Sequence, residues 1–147
     1  MHAEEVRATV REALAVDAAR IAALAHQLGY TVSEAHASST LALRGEEYEI
    51  FVAVVPRAGV VGWTSIRISQ TLTSERRAQI EGLVVEDEYR GSGIGAALLN
   101  RAERWAVERG CATLRLFSNV VRERAHAFYE RNGYRILKTE HLFQKQL

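Results

Sequence analysis

Hydrophobic residues recur along this chain at two spacings, one typical of helices and the other of strands. Apolar positions three and four residues apart predict a helix that Asp17 caps and Gly29 ends, and a long helix over 94–109. A weaker helical pattern, which Ser33 caps, covers 33–43, and a further amphipathic pattern covers 121–131.

Runs rich in β-branched and aromatic residues predict the strands. They lie at 6–11, 48–55, 60–68, 78–85, 112–117, 134–137 and 142–145. The turn sequence Pro56-Arg57-Ala58-Gly59 joins the second and third of these as a hairpin, and 69–77 has the composition of a polar loop. Antiparallel strands thus come first, and strand–helix–strand–helix units follow. This order predicts an α+β fold with a mixed, mostly antiparallel central sheet flanked by helices.

Composition narrows the class of protein. The 147 residues are 48% hydrophobic and 25% charged, and we expect a single domain over 1–147. The net charge of +1 is too small to indicate nucleic acid or an anionic membrane as a partner. No signal-peptide pattern opens the chain, and no stretch reaches the ~18 apolar residues of a membrane span. A cytoplasmic protein is therefore expected.

Cysteine and histidine indicate no special chemistry. Cys111 is the single cysteine, so the chain cannot form an internal disulfide, which fits a reducing compartment. It lies between a helix-ending glycine and a strand, a place that favours packing over a nucleophilic role. The five histidines show no spacing with acids or with Cys111 that is typical of a metal site, so no metal is expected.

The most informative stretch follows the predicted strand 78–85. There Arg90-Gly91-Ser92-Gly93-Ile94-Gly95-Ala96 leads from a charged turn into the long helix. Glycines adopt positive φ and let the backbone approach a ligand closely. Because N–H groups at a helix start are unpaired and carry a partial positive charge, residues 91–96 suit a phosphate or pyrophosphate, with Arg90 as a further charged contact. The alternative to phosphate binding is that these glycines only form a tight turn before a helix.

Two other phosphate-binding classes fit this stretch less well. Residues 91–96 satisfy the loose dinucleotide pattern G-x-G-x-x-A, but the charged turn 86–90 separates the glycines from the strand. The next predicted strand ends without an acidic residue to hold a ribose. No Gly-Lys-Ser/Thr follows the glycines, which argues against a Walker loop.

At two blocks the chain resembles the GNAT superfamily of N-acetyltransferases. The first block, Arg90-Gly91-Ser92-Gly93-Ile94-Gly95, is similar to the family's Arg/Gln-x-x-Gly-x-Gly/Ala motif after a strand of alternating valines. The second block is Asn119 followed by Ala125-His126-Ala127-Phe128-Tyr129-Glu130-Arg131-Asn132-Gly133-Tyr134, similar to the family's Asn…Ala-x-x-Phe-Tyr-Glu-x-x-Gly-Phe/Tyr block. With the opening strand, turn and helix, the resemblance covers nearly the whole chain.

The resemblance implies a fold, a ligand and its binding residues. In the acyl-CoA N-acyltransferase fold the sheet splays between two central strands, here 78–85 and 112–117, and acetyl-CoA is the acyl donor. Its pantetheine arm would pair with the strand edge at Leu83, Val84 and Val85. Its pyrophosphate would sit on the amides of Gly91, Ser92, Gly93, Ile94, Gly95 and Ala96. Asn119 would hydrogen-bond the pantetheine arm, although a helix cap or turn is an equally good reason for an Asn there.

Two residues are candidates for proton transfer. By the resemblance Tyr129 sits near the coenzyme sulfur, and a phenol of pKa about 10 holds a proton at pH 7 that it can give to a thiolate. Its position on a helix face alone would make it a core residue. Alternation places Glu81 on one strand face with Leu83 and Val85, where it would attract a cationic amine and help deprotonate it through water. A solvated edge residue or an ion-pair partner is the alternative for Glu81.

The leading hypothesis is an N-acetyltransferase that moves the acetyl group of acetyl-CoA to an amine by direct attack. A small-molecule amine is the favoured acceptor, and a peptide or protein amine is the other. A non-catalytic acyl-CoA-binding module that regulates a partner would have the same fold, and a dinucleotide-binding oxidoreductase is the third hypothesis. The resemblance also raises a homodimer through the C-terminal strand 142–145.

Overall fold

The structure of the protein, a computed structural model, describes residues 7–118 and 120–147. The chain divides into two compact units, one that reaches to Leu116 and one over Phe117–Leu147. The single domain expected over 1–147 stays a prediction. No helix in the described ranges is both long enough and apolar enough to cross a membrane.

The described part of the first unit contains five strands and three α-helices. The strands are β1 (Thr9–Glu12), β2 (Tyr48–Val55), β3 (Gly59–Thr71), β4 (Ser74–Val85) and β5 (Leu114–Leu116). The helices are α1 (Ala18–Ala25), α2 (Glu34–Leu41) and α3 (Ile94–Glu108). Single 3-10 turns occur at Ala15–Asp17, His26–Leu28 and Asp87–Tyr89.

The strands form one sheet in chain order, β1-β2-β3-β4-β5. Neighbouring strands are antiparallel except β4 and β5, which are parallel. The helix α3 provides the crossover that a parallel pair requires. The mixed, mostly antiparallel sheet and the β2–β3 hairpin are therefore confirmed.

The two faces of the sheet are covered by different helices, because side chains alternate along each strand. On one face Ile50 and Val52 of β2 join a buried cluster with α1 and α2. On the other face Phe51 is buried, and the guanidinium of Arg101 in α3 lies 4.5 Å from the centre of its ring. Leu98 of α3 is fully buried as well. Both faces are apolar, as the unbroken hydrophobic run 50–55 predicts.

The prediction of a loop over 69–77 was wrong. Both strands of the β3–β4 hairpin extend into this range, and only Leu72 and Thr73 lie between them. Ser69 pairs with Arg77, and the Thr71 hydroxyl donates to the Ser74 hydroxyl at 2.8 Å. An exposed hairpin satisfies its backbone by cross-strand hydrogen bonds and needs no apolar face, so the hydrophobic pattern does not reveal it.

Asp17 occupies the N-cap position of α1, as predicted, but its side chain makes no cap hydrogen bond to that helix. The Asp17 carboxylate accepts hydrogen bonds from the Leu14 amide and the Arg11 guanidinium, each at 2.7 Å. It therefore fixes the turn before α1. By contrast, the Ser33 hydroxyl accepts from the His36 amide at 3.0 Å and caps α2, as predicted.

In the second unit α4 (Glu123–Arg131) forms within the predicted range. The closing strands predicted at 134–137 and 142–145 are wrong, since both segments are irregular and the sheet ends at β5. Alternating apolar residues favour a strand, but an extended segment becomes one only when another strand pairs with its backbone.

A close contact between β3 and β4 sets the identity of one residue. The Trp63 ring lies against the backbone at Gly82, so that an added Cβ would meet ring atoms at 2.7 and 2.8 Å. Its indole N–H donates to the Ile21 carbonyl at 3.1 Å, which anchors the ring to α1. Because this hydrogen bond opposes movement of the ring, position 82 favours glycine.

We expect Gly82→Ala to destabilise the protein by about 1–3 kcal/mol, because the new methyl overlaps the anchored ring. Urea unfolding measures the loss. Gly45→Ala is the matched control, since nothing lies within 4 Å of its added Cβ. In a Trp63→Leu background Gly82→Ala should cost less. Equal losses for Gly82→Ala and Gly45→Ala would contradict the contact.

Candidate active site

An interruption of the sheet defines the first part of the site. Strand β4 pairs with β5 only over Ala78–Ile80, where the partners are Leu114–Leu116, although β4 continues to Val85. Beyond Ile80 its peptide groups on that side have no strand partner in the described chain. Such an edge can hydrogen-bond an extended ligand. Leu83, Val84 and Val85, predicted to bind pantetheine, lie on this open stretch.

The open edge leads into the start of α3, the second part of the site. Gly91 and Gly93 adopt left-handed backbone with φ of 77° and 86°. Gly93 is the N-cap of α3, and no side chain caps the helix there. Nothing lies within 4 Å of an added Cβ at either glycine, so the backbone is open to a ligand. The buried Ile94 side chain anchors the helix start, while its amide belongs to the unpaired first turn.

Side-chain contacts of this segment differ from the simplest expectation. The Arg90 guanidinium folds back onto its own turn, with hydrogen bonds to the Val85 carbonyl at 3.3 Å and to Asp87 at 2.9 Å. The Ser92 hydroxyl donates to the Tyr89 carbonyl. Backbone amides are therefore the groups presented to an anion. Gly95 and Ala96 continue the same first turn of α3.

Two of the three acids before the glycines are paired with arginines. Arg20 of α1 lies 2.6 Å from Glu86, and Arg90 lies 2.9 Å from Asp87. Arg20 also donates to the Val60 carbonyl at 2.9 Å, so its position is fixed. These pairs reduce the negative charge beside a site suited to an anion. The sequence pattern indicates only a charged turn at 86–90 and gives no sign of Arg20, which is 66 residues from Glu86.

Glu81 lies at a β-bulge in β4. Ser65 of β3 pairs with Gly82 and the next residue, Ile66, pairs with Ile80, so Glu81 is the extra residue. The predicted alternation, which placed Glu81 with Leu83 and Val85, is wrong because the bulge adds one residue and breaks the period of two.

Contacts show which face Glu81 occupies. Its carboxylate lies 2.5 Å from Nε of Arg67, whose cross-strand partner is Tyr48. Tyr48 packs against the α1–α2 core cluster. Leu83, in contrast, pairs with Thr64, the partner of Phe51 on the α3 face. Glu81 therefore lies on the α1–α2 face of the sheet. It is also an ion-pair partner, which was the alternative that the sequence left open.

Three further polar residues surround Glu81. Arg67 is half exposed, and Tyr48 is half-buried with its hydroxyl hydrogen-bonded to Ser65. Burial raises the pKa of Tyr48, and the nearby Glu81 charge raises it further. The sequence pattern places Tyr48 at the start of the predicted strand 48–55 and does not single out Arg67 or Ser65. The local signal was an arginine between Ile66 and Ile68 in the strand predicted at 60–68.

Tyr129 lies in the second unit, near the end of α4. Its carbonyl accepts from the Tyr134 amide at 3.0 Å, while the Gly133 amide donates to the Glu130 carbonyl at 3.1 Å. These two bonds form a Schellman motif, with Gly133 in the left-handed region at φ 90°. The glycine of the second block therefore closes the helix that carries Tyr129.

The Tyr129 ring is half-buried in an aromatic group. Its centroid lies 5.3 Å from that of Phe128 and 6.0 Å from that of Tyr134, both edge to face. Burial raises the pKa of Tyr129, and the Arg122 charge opposes this in part. The phenol is thus held in its protonated form at neutral pH.

Asn119 lies outside the described residues, and its role stays a prediction. Within 7–118 and 120–147, no three His, Cys, Asp or Glu side chains are grouped as a metal site.

Comparisons with known proteins identify the family. The family model "Acetyltransferase (GNAT) family" matches residues 15–134. The chain is 28% identical over 130 residues to an aminoglycoside N(6')-acetyltransferase type 1 of Stenotrophomonas maltophilia, covering 86% of this chain and 85% of that one. It is 35% identical over 82 residues to a glucosamine 6-phosphate N-acetyltransferase of Trypanosoma brucei brucei, covering 54% of each. A solved aminoglycoside N-acetyltransferase in complex with CoA is 14% identical, with a TM-score of 0.85 and full coverage of both chains.

The chain belongs to the GNAT family of acetyltransferases. It is an N-acetyltransferase whose acyl donor is acetyl-CoA, as the sequence predicts. The acyl-CoA N-acyltransferase fold is confirmed as well. The comparisons give no support to the non-catalytic module.

We expect the Tyr129 phenol to ionise above its ordinary pKa of 10.0, because burial disfavours the phenolate. An ultraviolet difference titration of wild type against Tyr129→Phe isolates this group. The folded state holds the proton more tightly than the unfolded state, so this contribution to stability is lost as pH rises above 10. A midpoint at or below pH 10 would show that the ring is not buried in solution.

Proposed function

We propose that the protein transfers the acetyl group of acetyl-CoA to a small-molecule amine, with the donor on the open edge of β4 and the start of α3. The observation that carries this proposal is the order of those two features within one unit: an unpaired strand edge is followed, after one short turn, by a helix start that no side chain caps. The two related enzymes named above act on aminoglycosides and on glucosamine 6-phosphate, and both substrates are small amines. A peptide or protein amine remains the second class of acceptor.

Each part of the donor has a matching group in this chain. The amides of 91–96 bind the pyrophosphate, with Arg90 and Ser92 supporting the turn. Peptide groups at Leu83, Val84 and Val85 hydrogen-bond the amides of the pantetheine arm in the manner of an added strand. Asn119 is proposed as a further contact to that arm. Acetyl-CoA supplies an activated thioester, and this chain orients it.

The proposed chemistry removes two protons from the acceptor nitrogen and gives one proton to the thiolate. Glu81 attracts the ammonium form of the acceptor and removes a proton from it through water, which frees the nitrogen lone pair. The nitrogen bonds directly to the acetyl carbon as the carbon–sulfur bond breaks, with no covalent enzyme intermediate. Tyr129 then gives its proton to the departing thiolate, and the second proton that the nitrogen loses passes through water to the Tyr129 phenolate. The raised pKa of Tyr129 suits it to hold that proton until the thiolate forms.

The homodimer expected through 142–145 is also kept as a proposal. Leu142 and Phe143 in this segment are 94% and 90% exposed in the single chain. Exposed apolar side chains of this size are consistent with a contact to another molecule.

We expect Gly93→Asp to abolish coenzyme binding, because a carboxylate at the start of α3 repels the pyrophosphate. Thermal shift with coenzyme A is the measurement. Wild type at 100 times the dissociation constant should gain about 2.7 kcal/mol, and the variant should gain none. Gly29→Asp is the matched control, with φ of 88° and open space but no place in the site. If Gly93→Asp shows a normal coenzyme shift, the start of α3 is not the pyrophosphate site.

We expect Tyr129→Phe to lower kcat by about 10²-fold or more, the usual contribution of a general acid, while coenzyme binding is retained. Thiol release under saturating acetyl-CoA measures kcat. Tyr134→Phe removes a hydroxyl from the same aromatic group and should stay near wild type. An unchanged kcat in Tyr129→Phe would mean that the thiolate takes its proton from another source.

A further inference from the structure

The ion pair between Arg67 and Glu81 bears on which amine the enzyme accepts. The two side chains are 50% and 37% exposed, so both charges can be reached from solvent. A pair this exposed contributes little to folding stability, so a ligand can replace it at low cost. The chain thus presents one anion and one cation, 2.5 Å apart, on the α1–α2 face of the sheet.

The groups near the ion pair are two hydroxyls and an aromatic ring. The Tyr48 hydroxyl and the Ser65 hydroxyl lie beside it and are hydrogen-bonded to each other. The Trp63 ring lies against the backbone of Gly82, the residue next to Glu81. An aromatic ring, hydroxyl groups and a pair of opposite charges are the kinds of group that bind small polar ligands.

The position of the pair along β4 relates it to the reaction. The glycine segment that suits the pyrophosphate follows Val85, and the open edge runs back from Val85 to Glu81. This stretch covers roughly 13 Å at the rise of a β-strand. A donor that is extended along the edge from the glycines has its acetyl end toward Glu81 and Arg67. This step rests on the function proposed above.

We propose that the acceptor is a small amine that carries its own anionic group, with its ammonium on Glu81 and its carboxylate or phosphate on Arg67. A purely cationic acceptor that took Glu81 would leave Arg67 unpaired beside a second positive charge. An acceptor with both charges replaces both partners of the ion pair at once. The forked guanidinium of Arg67 suits a carboxylate or a phosphate in a bidentate arrangement.

The test uses acceptors in pairs that differ only in the anion. The pairs are glucosamine 6-phosphate with glucosamine, and β-alanine with propylamine; kanamycin represents the polycationic class. Thiol release gives kcat and KM for each. We expect the anionic member of a pair to have a kcat/KM higher by about tenfold or more, mainly through KM. The first pair tests phosphate and the second tests carboxylate.

Variants separate the two charges. Arg67→Gln should remove the preference by raising KM for the anionic members only, and Arg67→Lys should keep part of it. Glu81→Gln should lower kcat for both members of a pair. Arg76→Gln is the matched control. Arg76 also lies in the β3–β4 hairpin and forms an ion pair, with its guanidinium 3.9 Å from the Glu47 carboxylate. Its ratios should equal those of wild type.

Failure of the anionic-acceptor proposal gives different results from failure of the proposed acetyl transfer. Turnover of kanamycin, or of the pair members that lack the anion, at equal or higher kcat/KM overturns this proposal and leaves acetyl transfer intact. The proposal is also overturned if Arg67→Gln lowers kcat/KM equally for all acceptors. If no acceptor reacts while coenzyme A still raises the melting temperature, and no anionic amine adds a further shift, the acceptor class is wrong. If coenzyme A itself gives no shift, the proposed donor site fails first.

Discussion

Parallel pairing between β4 and β5 ends at Ile80, and most of the proposed site depends on where it ends. A fully paired strand has no hydrogen-bonding groups to offer, whereas β4 keeps a row of them beyond this point. The same strand is held firmly on its other edge by β3 up to Val85. The open edge is therefore rigid, which lets it hold a ligand in one orientation without ordering a loop.

The bulge at Glu81 adds a second function to the same strand. Without an extra residue, alternation would direct Glu81 to the α3 face, away from Tyr48 and Arg67. The inserted residue brings its carboxylate to the α1–α2 face at the place where pairing with β5 stops. One irregularity thus combines a charged side chain with a free backbone edge, and bulges near functional sites commonly redirect side chains in this way.

Local signals accounted for the parts of the fold that local physics determines. Strand β2, the Ser33 cap and the helix that starts at Ile94 follow from residue type and spacing, and the glycine segment adopts the backbone that its sequence favours. The bulge at Glu81 could not be predicted, because it depends on the register against β3. The Arg20–Glu86 pair joins residues far apart in the chain, and no local pattern indicates it. The irregular C-terminal segments show the converse, where a strand pattern has no paired strand.

The chain has two tryptophans, and their environments make them unequal as optical probes. Trp105 is 1% exposed inside α3, with the Arg109 guanidinium 4.4 Å from its ring. Trp63 is half-buried on β3, anchored to α1 and in contact with Gly82 beside the bulge. Any ligand that settles against Glu81 alters the polarity around one indole and leaves the other unchanged. The emission spectrum of the protein therefore contains a signal of occupancy that needs no added label.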